Sequence, residues 1–351
     1  MKTIKLGSSD IDVTSICLGS MTWGKQNTQD QAFEQLEYAT GERGINFIDT
    51  AEMYAVPPAK ETAGVTETYI GNWFAANPGR RQKLVLASKI VGPGLPWIRG
   101  GEKITAESIL PAIEGSLKRL QTDYIDLYQL HWSNRINPHF SRHWPGAIDP
   151  SADDIDAHRE EMLGILEALD SAIKAGKIRA CGLSNETPWG INEYLRLAEQ
   201  NGLPKMVSVQ NEFNLLHLKD WPYVIETCIH NNLSYLPWSP LAGGALSGKY
   251  ADGKKPEGAR WTMVQRNGVF RDTSKSHDAI AEYSKIAEKY DLPLVQMCLA
   301  WVFQTAGVSS TLIGATSMAN LKENLDASEL VLNEQMLADI GAVIKEYPQP
   351  F

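Results

Sequence analysis

Eight short apolar runs recur along this chain, most of them followed by a longer segment with helical spacing. That alternation restricts the fold more than any other feature. The runs occupy residues 15–18, 46–49, 84–89, 127–131, 180–183, 207–210, 235–238 and 311–313. Short continuous apolar runs belong to strands covered on both faces. The clearest helical segment is 105–121, where Ile109, Ile113, Leu117 and Leu120 form one stripe. Thr28 with Gln31 reads as a capping box, and Ser317 and Asn333 read as N-caps of the last two helices. Eight strand–helix units predict a (β/α)8 barrel. A doubly wound sheet also alternates strands and helices. It is disfavoured because Leu18-Gly19-Ser20-Met21-Thr22-Trp23-Gly24 lacks the Gly-x-Gly-x-x-Gly pattern after the first run. Residues 4–13 read as an added β-hairpin ahead of the barrel. No linker-like tract interrupts residues 1–351, so one barrel domain is expected over the whole length.

Charge and cysteine usage narrow the function classes. The 351 residues carry 33 Lys plus Arg against 42 Asp plus Glu, a net charge of −9. No basic stripe of the kind that neutralises phosphates is present, which argues against nucleic-acid binding. No run approaches the ~18 uninterrupted apolar residues of a membrane span, and the N-terminus lacks the apolar core of a signal peptide. Cys17, Cys181, Cys228 and Cys298 are scattered in apolar stretches with no Cys-x-x-Cys pair. Buried free thiols and a cytoplasmic setting are expected.

Four chemistry-bearing residues lie at or just past the ends of consecutive runs: Asp49, Tyr54, Lys89 and His131. In a parallel barrel those ends converge on the face where active sites are built. Ionisable groups at buried strand ends are costly unless partnered. A free phenol has a pKa of about 10. An adjacent ammonium favours the phenolate, so Lys89 is expected to lower the pKa of Tyr54, with Asp49 holding Lys89 charged. His131 supplies a second polar contact to an oxygen beside Tyr54. This set suits a carbonyl oxygen that takes up a proton. No nucleophile stands beside a base, which disfavours acyl transfer.

The motifs carrying these residues resemble those of the aldo-keto reductases. Asp49-Thr50-Ala51-Glu52-Met53-Tyr54 is similar to that family's Asp-x-Ala-x-x-Tyr segment, Ser88-Lys89 to its lysine strand, and residues 117–127 to the run before its histidine. Residues 52–58 and 248–250 resemble the branch that holds bacterial Tas-type reductases and potassium-channel β subunits. The resemblance implies a (β/α)8 barrel that uses NADPH to reduce a small-molecule carbonyl substrate. Tyr54 would be the proton donor, Lys89 and Asp49 its tuning pair, and His131 the group orienting the carbonyl. It implies cofactor contacts from Ser20, Met21 and Gln26 in the first loop, and from Ser184, Asn185 and Gln210 at the carboxamide. Trp238 would stack on the nicotinamide. Ser239, Pro240, Leu241 and Gly243 would follow the pyrophosphate, and Lys249 and Arg260 would close over it. Gly314, Thr316, Asn320, Glu323 and Asn324 would hold the adenosine end. Asn320 stands where the branch often carries Gln, and Thr316 is a weaker 2′-phosphate signal than the Lys-plus-Arg pair of other branches. Two alternatives stay open: an NADP(H)-binding regulatory or redox-sensing subunit with slow turnover, and a barrel hydrolase or lyase.

Two long connections, 132–155 and 242–274, leave from the strand ends that carry the chemistry, as lids and binding loops do. Trp23, Trp97, Trp132 and Trp144 come from loops expected to surround the site and form an aromatic box for the substrate. His139 and His143 have i, i+4 spacing, which ligates a metal only if that stretch is helical. No third ligand is evident, and no metal is expected.

Overall fold

The fold was analysed in a computed structural model, which describes residues 1–263 and 269–351. Residues 264–268 of the second long connection lie outside the described residues. Two short antiparallel strands open the chain, β1 (Thr3–Lys5) and β2 (Asp12–Thr14). Eight parallel strands follow: β3 (Ile16–Gly19), β4 (Phe47–Asp49), β5 (Val85–Ile90), β6 (Ile125–Leu130), β7 (Ile178–Ser184), β8 (Ser208–Gln210), β9 (Ser234–Tyr235) and β10 (Thr311–Ile313). Their order is β10-β3-β4-β5-β6-β7-β8-β9. The ends of that order meet through Ser309 N–H to Tyr235 O and Leu312 N–H to Pro237 O, both 2.9 Å. The sheet therefore curls into the (β/α)8 barrel that the alternation predicts.

Most strands fall within a residue or two of the apolar runs. The seventh is shorter than expected. Pro237 has no N–H for a ladder, and Trp238 forms only an isolated bridge with Glu212. The helices α1 (Gln29–Glu37), α2 (Val65–Ala76), α3 (Ala106–Leu120), α4 (Ile155–Lys174), α5 (Pro188–Asn201), α6 (Tyr223–His230), α7 (Ser274–Lys289), α8 (Leu294–Gln304), α9 (Met318–Asp326) and α10 (Glu334–Glu346) cover the barrel or extend it. Thr28 and Gln31 cap α1 reciprocally, and Thr105 opens α3. Ser317 and Asn333 accept the Asn320 and Met336 N–H groups at the starts of α9 and α10.

Strand alternation builds two layers inside the barrel. Ile48, Leu86, Tyr128 and Leu130 face the helices in the largest core cluster. Phe47, Val85, Ala87 and Leu127 face inward, with Cys17, Ala180 and Leu312. The same inward parity then delivers Asp49, Lys89 and Gln129 to the carboxyl ends of their strands. The hairpin closes the opposite end of the barrel with Leu6, Ile11 and Val13, none more than 2% exposed. Gly7 makes that closure possible. Its φ is +56°, and a Cβ there would lie 2.1 Å from the Val207 carbonyl oxygen.

Candidate active site

Asp49, Lys89 and Tyr54 form one connected unit at the carboxyl ends of the strands. Lys89 Nζ lies 2.5 Å from Asp49 Oδ1, 2.9 Å from the Thr50 carbonyl and 3.4 Å from Tyr54 Oη. The other Asp49 oxygen accepts from Gln210 Nε2 at 2.8 Å and Gln129 Nε2 at 3.1 Å. The buried carboxylate therefore has a cation on one oxygen and two amide donors on the other. Such full pairing is what a buried charge requires.

Burial opposes the charge on Lys89, but Asp49 and Tyr54 outweigh it and hold the ammonium above its ordinary pKa. The expected direction for Tyr54 is reversed. Burial of the phenol dominates, Lys89 offsets it only partly, and the pKa is raised. Tyr54 is therefore a neutral phenol at physiological pH, the protonation state of a donor rather than of a base. Burial and the Lys89 charge push His131 well below its ordinary value, so its imidazole is neutral. The Tyr54 and His131 rings meet edge to face at 5.7 Å, and His131 Nδ1 has no hydrogen-bond partner among the described residues.

The strand ends next to this unit carry further polar groups. Ser184 Oγ donates to the Gln210 carbonyl at 2.7 Å, and Asn185 Nδ2 donates to the His131 carbonyl at 2.8 Å. Among the described residues no donor reaches buried Asn185 Oδ1, an acceptor that suits the N–H of a carboxamide. Asn185, Ser239 and Ala242 have φ of +53°, +52° and +51°. Non-glycine residues held in this region cluster at ligand-binding sites. Trp238 is half-buried, and its Nε1 has no hydrogen-bond partner among the described residues.

Beyond Trp238 the chain turns through Ser239, buried Pro240 and half-buried Leu241 into a glycine-lined hollow. A Cβ on Gly244 would lie 2.7 Å from Lys249 Nζ, and one on Gly243 would lie 3.2 Å from Arg260 Nη1. Two cations thus converge on a glycine surface, and neither forms an ion pair with a described residue. Burial and then the neighbouring Arg271 push Arg260 down to about 10. Arg271 is itself engaged by Glu212, 2.8 Å from its Nε. Gln26 ties the first loop to this segment through the Gly258 carbonyl at 3.1 Å. Two cations over adjacent glycines and an unsatisfied amide acceptor past the end of β7 suit the groups a dinucleotide presents.

The remaining residues fall into place unevenly. Met21 packs against the buried cluster of Ala51, Met53, Tyr54 and Val91, and its carbonyl accepts the Val56 N–H at 2.8 Å. Ser20 is fully buried and its hydroxyl donates to the Asp49 carbonyl at 2.7 Å, so it braces the Asp49 strand end rather than facing the hollow. Gly314, Thr316 and Asn320 are exposed around the start of α9, Glu323 is half-buried and Asn324 is buried. The aromatic box needs correction. Trp23 is 0% exposed in the core and donates to Gln35 Oε1 at 3.0 Å, so it lines no opening. Trp132 does reach the site, its ring 5.0 Å from that of His131. Trp97 and Trp144 are exposed, and Trp144 packs on His143. His139 and His143 lie in an irregular segment rather than on a helix. His139 faces Lys219 Nζ at 3.3 Å, and His143 faces the Phe351 carbonyl at 3.1 Å.

Sequence reasoning missed Gln129 and Phe140. Gln129 was legible, because it lies two residues after Leu127 on β6 and so points inward with it, toward the end that His131 follows. Phe140 sits in a connection without periodicity.

Comparisons with known proteins show the family. A family model described as the Aldo/keto reductase family matches residues 15–345. The chain is 42% identical to "Protein tas" of Escherichia coli over 353 aligned residues, covering 100% of this chain and 99% of that protein. It is 36% identical to "Aldo-keto reductase" of Babesia bovis over 70% of this chain and 90% of that protein. It is 31% identical to "Uncharacterized oxidoreductase YrpG" of Bacillus subtilis over 100% of this chain and 97% of that protein.

Proposed function

Because this chain belongs to the aldo/keto reductase family of oxidoreductases, we propose that it reduces aldehydes or ketones to alcohols with NADPH, Tyr54 giving the proton. The observation that carries this reading is Lys89 Nζ standing between Asp49 Oδ1 at 2.5 Å and Tyr54 Oη at 3.4 Å. The bound cofactor supplies a hydride to the carbonyl carbon. The chain's own residues manage the oxygen, which gains negative charge as the hydride arrives.

Tyr54 holds its proton at neutral pH because burial keeps the phenol neutral. Lys89, fixed by Asp49, lies within reach of the phenol oxygen and stabilises it as the proton leaves. Neutral His131 adds a polar contact on the other side of the carbonyl oxygen. Ser184, Asn185, Gln210 and Trp238 would hold the nicotinamide end. The hollow at Gly243, Lys249 and Arg260 would take the pyrophosphate, and residues from Gly314 to Asn324 the adenosine end. Lys249 and Arg260 supply the local positive charge that an acidic protein needs for a polyanion.

The test is NADPH consumption by the purified protein with an activated aromatic aldehyde, with Tyr54→Phe alongside. Turnover that falls at least about a hundredfold in Tyr54→Phe, with NADPH still bound, supports the reading. Unchanged turnover removes Tyr54 as the acid.

A further inference from the structure

Phe140 stands in the irregular segment between β6 and α4, 47% exposed and at φ +54°. Ser141 follows at φ +68°. This backbone conformation is disfavoured for a bulky side chain, and it persists where surrounding contacts impose it. Those contacts are aromatic. The Phe140 ring lies edge-on to Trp132 at 6.1 Å and 84°, and stacks on Trp238 at 6.3 Å and 28°. Trp132 lies against His131, with ring centres 5.0 Å apart. Trp132 follows β6 and Trp238 follows β9, and β7 and β8 separate these strands in the sheet. The Phe140 ring therefore spans the mouth of the barrel, from the wall that carries His131 to the wall that carries Trp238.

We propose that Phe140 is a specificity-determining residue of the carbonyl pocket. It selects substrates whose carbonyl bears a flat conjugated group, aryl aldehydes and enals, over saturated aliphatic aldehydes. The proposal rests on carbonyl reduction at this site. A planar π system can pair with the rings of Trp132 and Phe140, while a saturated chain gains only the burial of its area. The residue acts on binding and leaves the proton relay untouched, since it contacts neither Tyr54, Lys89 nor Asp49 in any described interaction.

The test compares wild type, Phe140→Ala and Phe140→Leu with 4-nitrobenzaldehyde and with butanal, reading kcat and KM separately. Circular dichroism and Tm confirm that each variant is folded. Losing two aromatic pairs lowers kcat/KM for the aromatic aldehyde about tenfold more than for butanal in Phe140→Ala, chiefly through KM. Phe140→Leu falls between, and NADPH affinity stays within about twofold. An unchanged aromatic-to-aliphatic ratio in both variants overturns the proposal. If wild type reduces neither aldehyde, the proposed function fails instead. The role of Phe140 is then decided by benzamide and butyramide binding to the NADPH-loaded protein. A preference for benzamide that Phe140→Ala abolishes supports it, and equal binding of the two amides to wild type overturns it.

Discussion

Gln210 donates to the Asp49 oxygen that Lys89 leaves open, at 2.8 Å, with the Lys89 bond at 2.5 Å on the other oxygen. One carboxylate thus joins an amide expected to hold the nicotinamide to the ammonium beside Tyr54, the proposed proton donor. Misplacing either partner should disturb both proposed functions.

The Asp49–Lys89 pair is buried on both sides, 2% and 0% exposed at the side chains. Removing one partner strands a buried charge, so Lys89→Met should lose about 3–5 kcal/mol of stability. The double variant Asp49→Asn/Lys89→Met should recover much of that stability yet stay inactive. Denaturant melts with turnover assays separate the two effects. Recovery of activity in the double variant would remove Lys89 from the relay.

Arg260 reaches the hollow at Gly243 without an acidic partner among the described residues. Arg260→Ala should weaken NADPH binding about tenfold or more, the loss of one charge-assisted contact, while kcat changes little. Fluorescence titration with NADPH checks this. Unaltered affinity means the hollow does not take the pyrophosphate.

Trp23 and Trp132 should respond in opposite ways. Trp23→Ala opens a cavity in a closed core and should lower stability by about 3–5 kcal/mol, with the ratio of aldehyde specificities unchanged. Trp132→Ala should alter KM for aldehydes with a smaller stability loss. A shift in specificity from Trp23→Ala would restore Trp23 to the pocket wall.

His131, His139 and His217 are all held well below the ordinary histidine pKa, by burial first and by nearby lysine charge second. The folded state therefore binds fewer protons than the unfolded chain. Stability is full above about pH 6.5 and falls below it, with a slope of up to about 1.4 kcal/mol per pH unit for each histidine. Tm measured from pH 7.5 to 5.0 should drop steadily below about pH 6.5, and less steeply in His139→Gln. A flat profile would mean that these rings accept protons within the fold.

The barrel was legible because strand period and helix period differ, and the apolar runs report one while Ile109, Ile113, Leu117 and Leu120 report the other. The clustering of Asp49, Lys89 and His131 around Tyr54 was legible because these residues share a position at strand ends. Three things were not. Where a loop tryptophan points depends on what packs over it, so Trp23 and Trp132 look alike in sequence yet one is core and one is wall. The direction of the Tyr54 shift is a contest between burial and an ammonium, and burial cannot be weighed without coordinates. Phe140 lies in a connection whose path is set by contacts with distant rings rather than by local pattern.

The hairpin covers the amino end of the barrel with Leu6, Ile11 and Val13, and side chains fill the interior behind it. Ligands therefore come and go at the carboxyl-end face alone. If the proposed NADPH lies beneath the segment that Gln26 fastens to Gly258, it should arrive before the aldehyde and depart after the alcohol. Product-inhibition patterns report that order: NADP+ should compete with NADPH alone, while the alcohol should not.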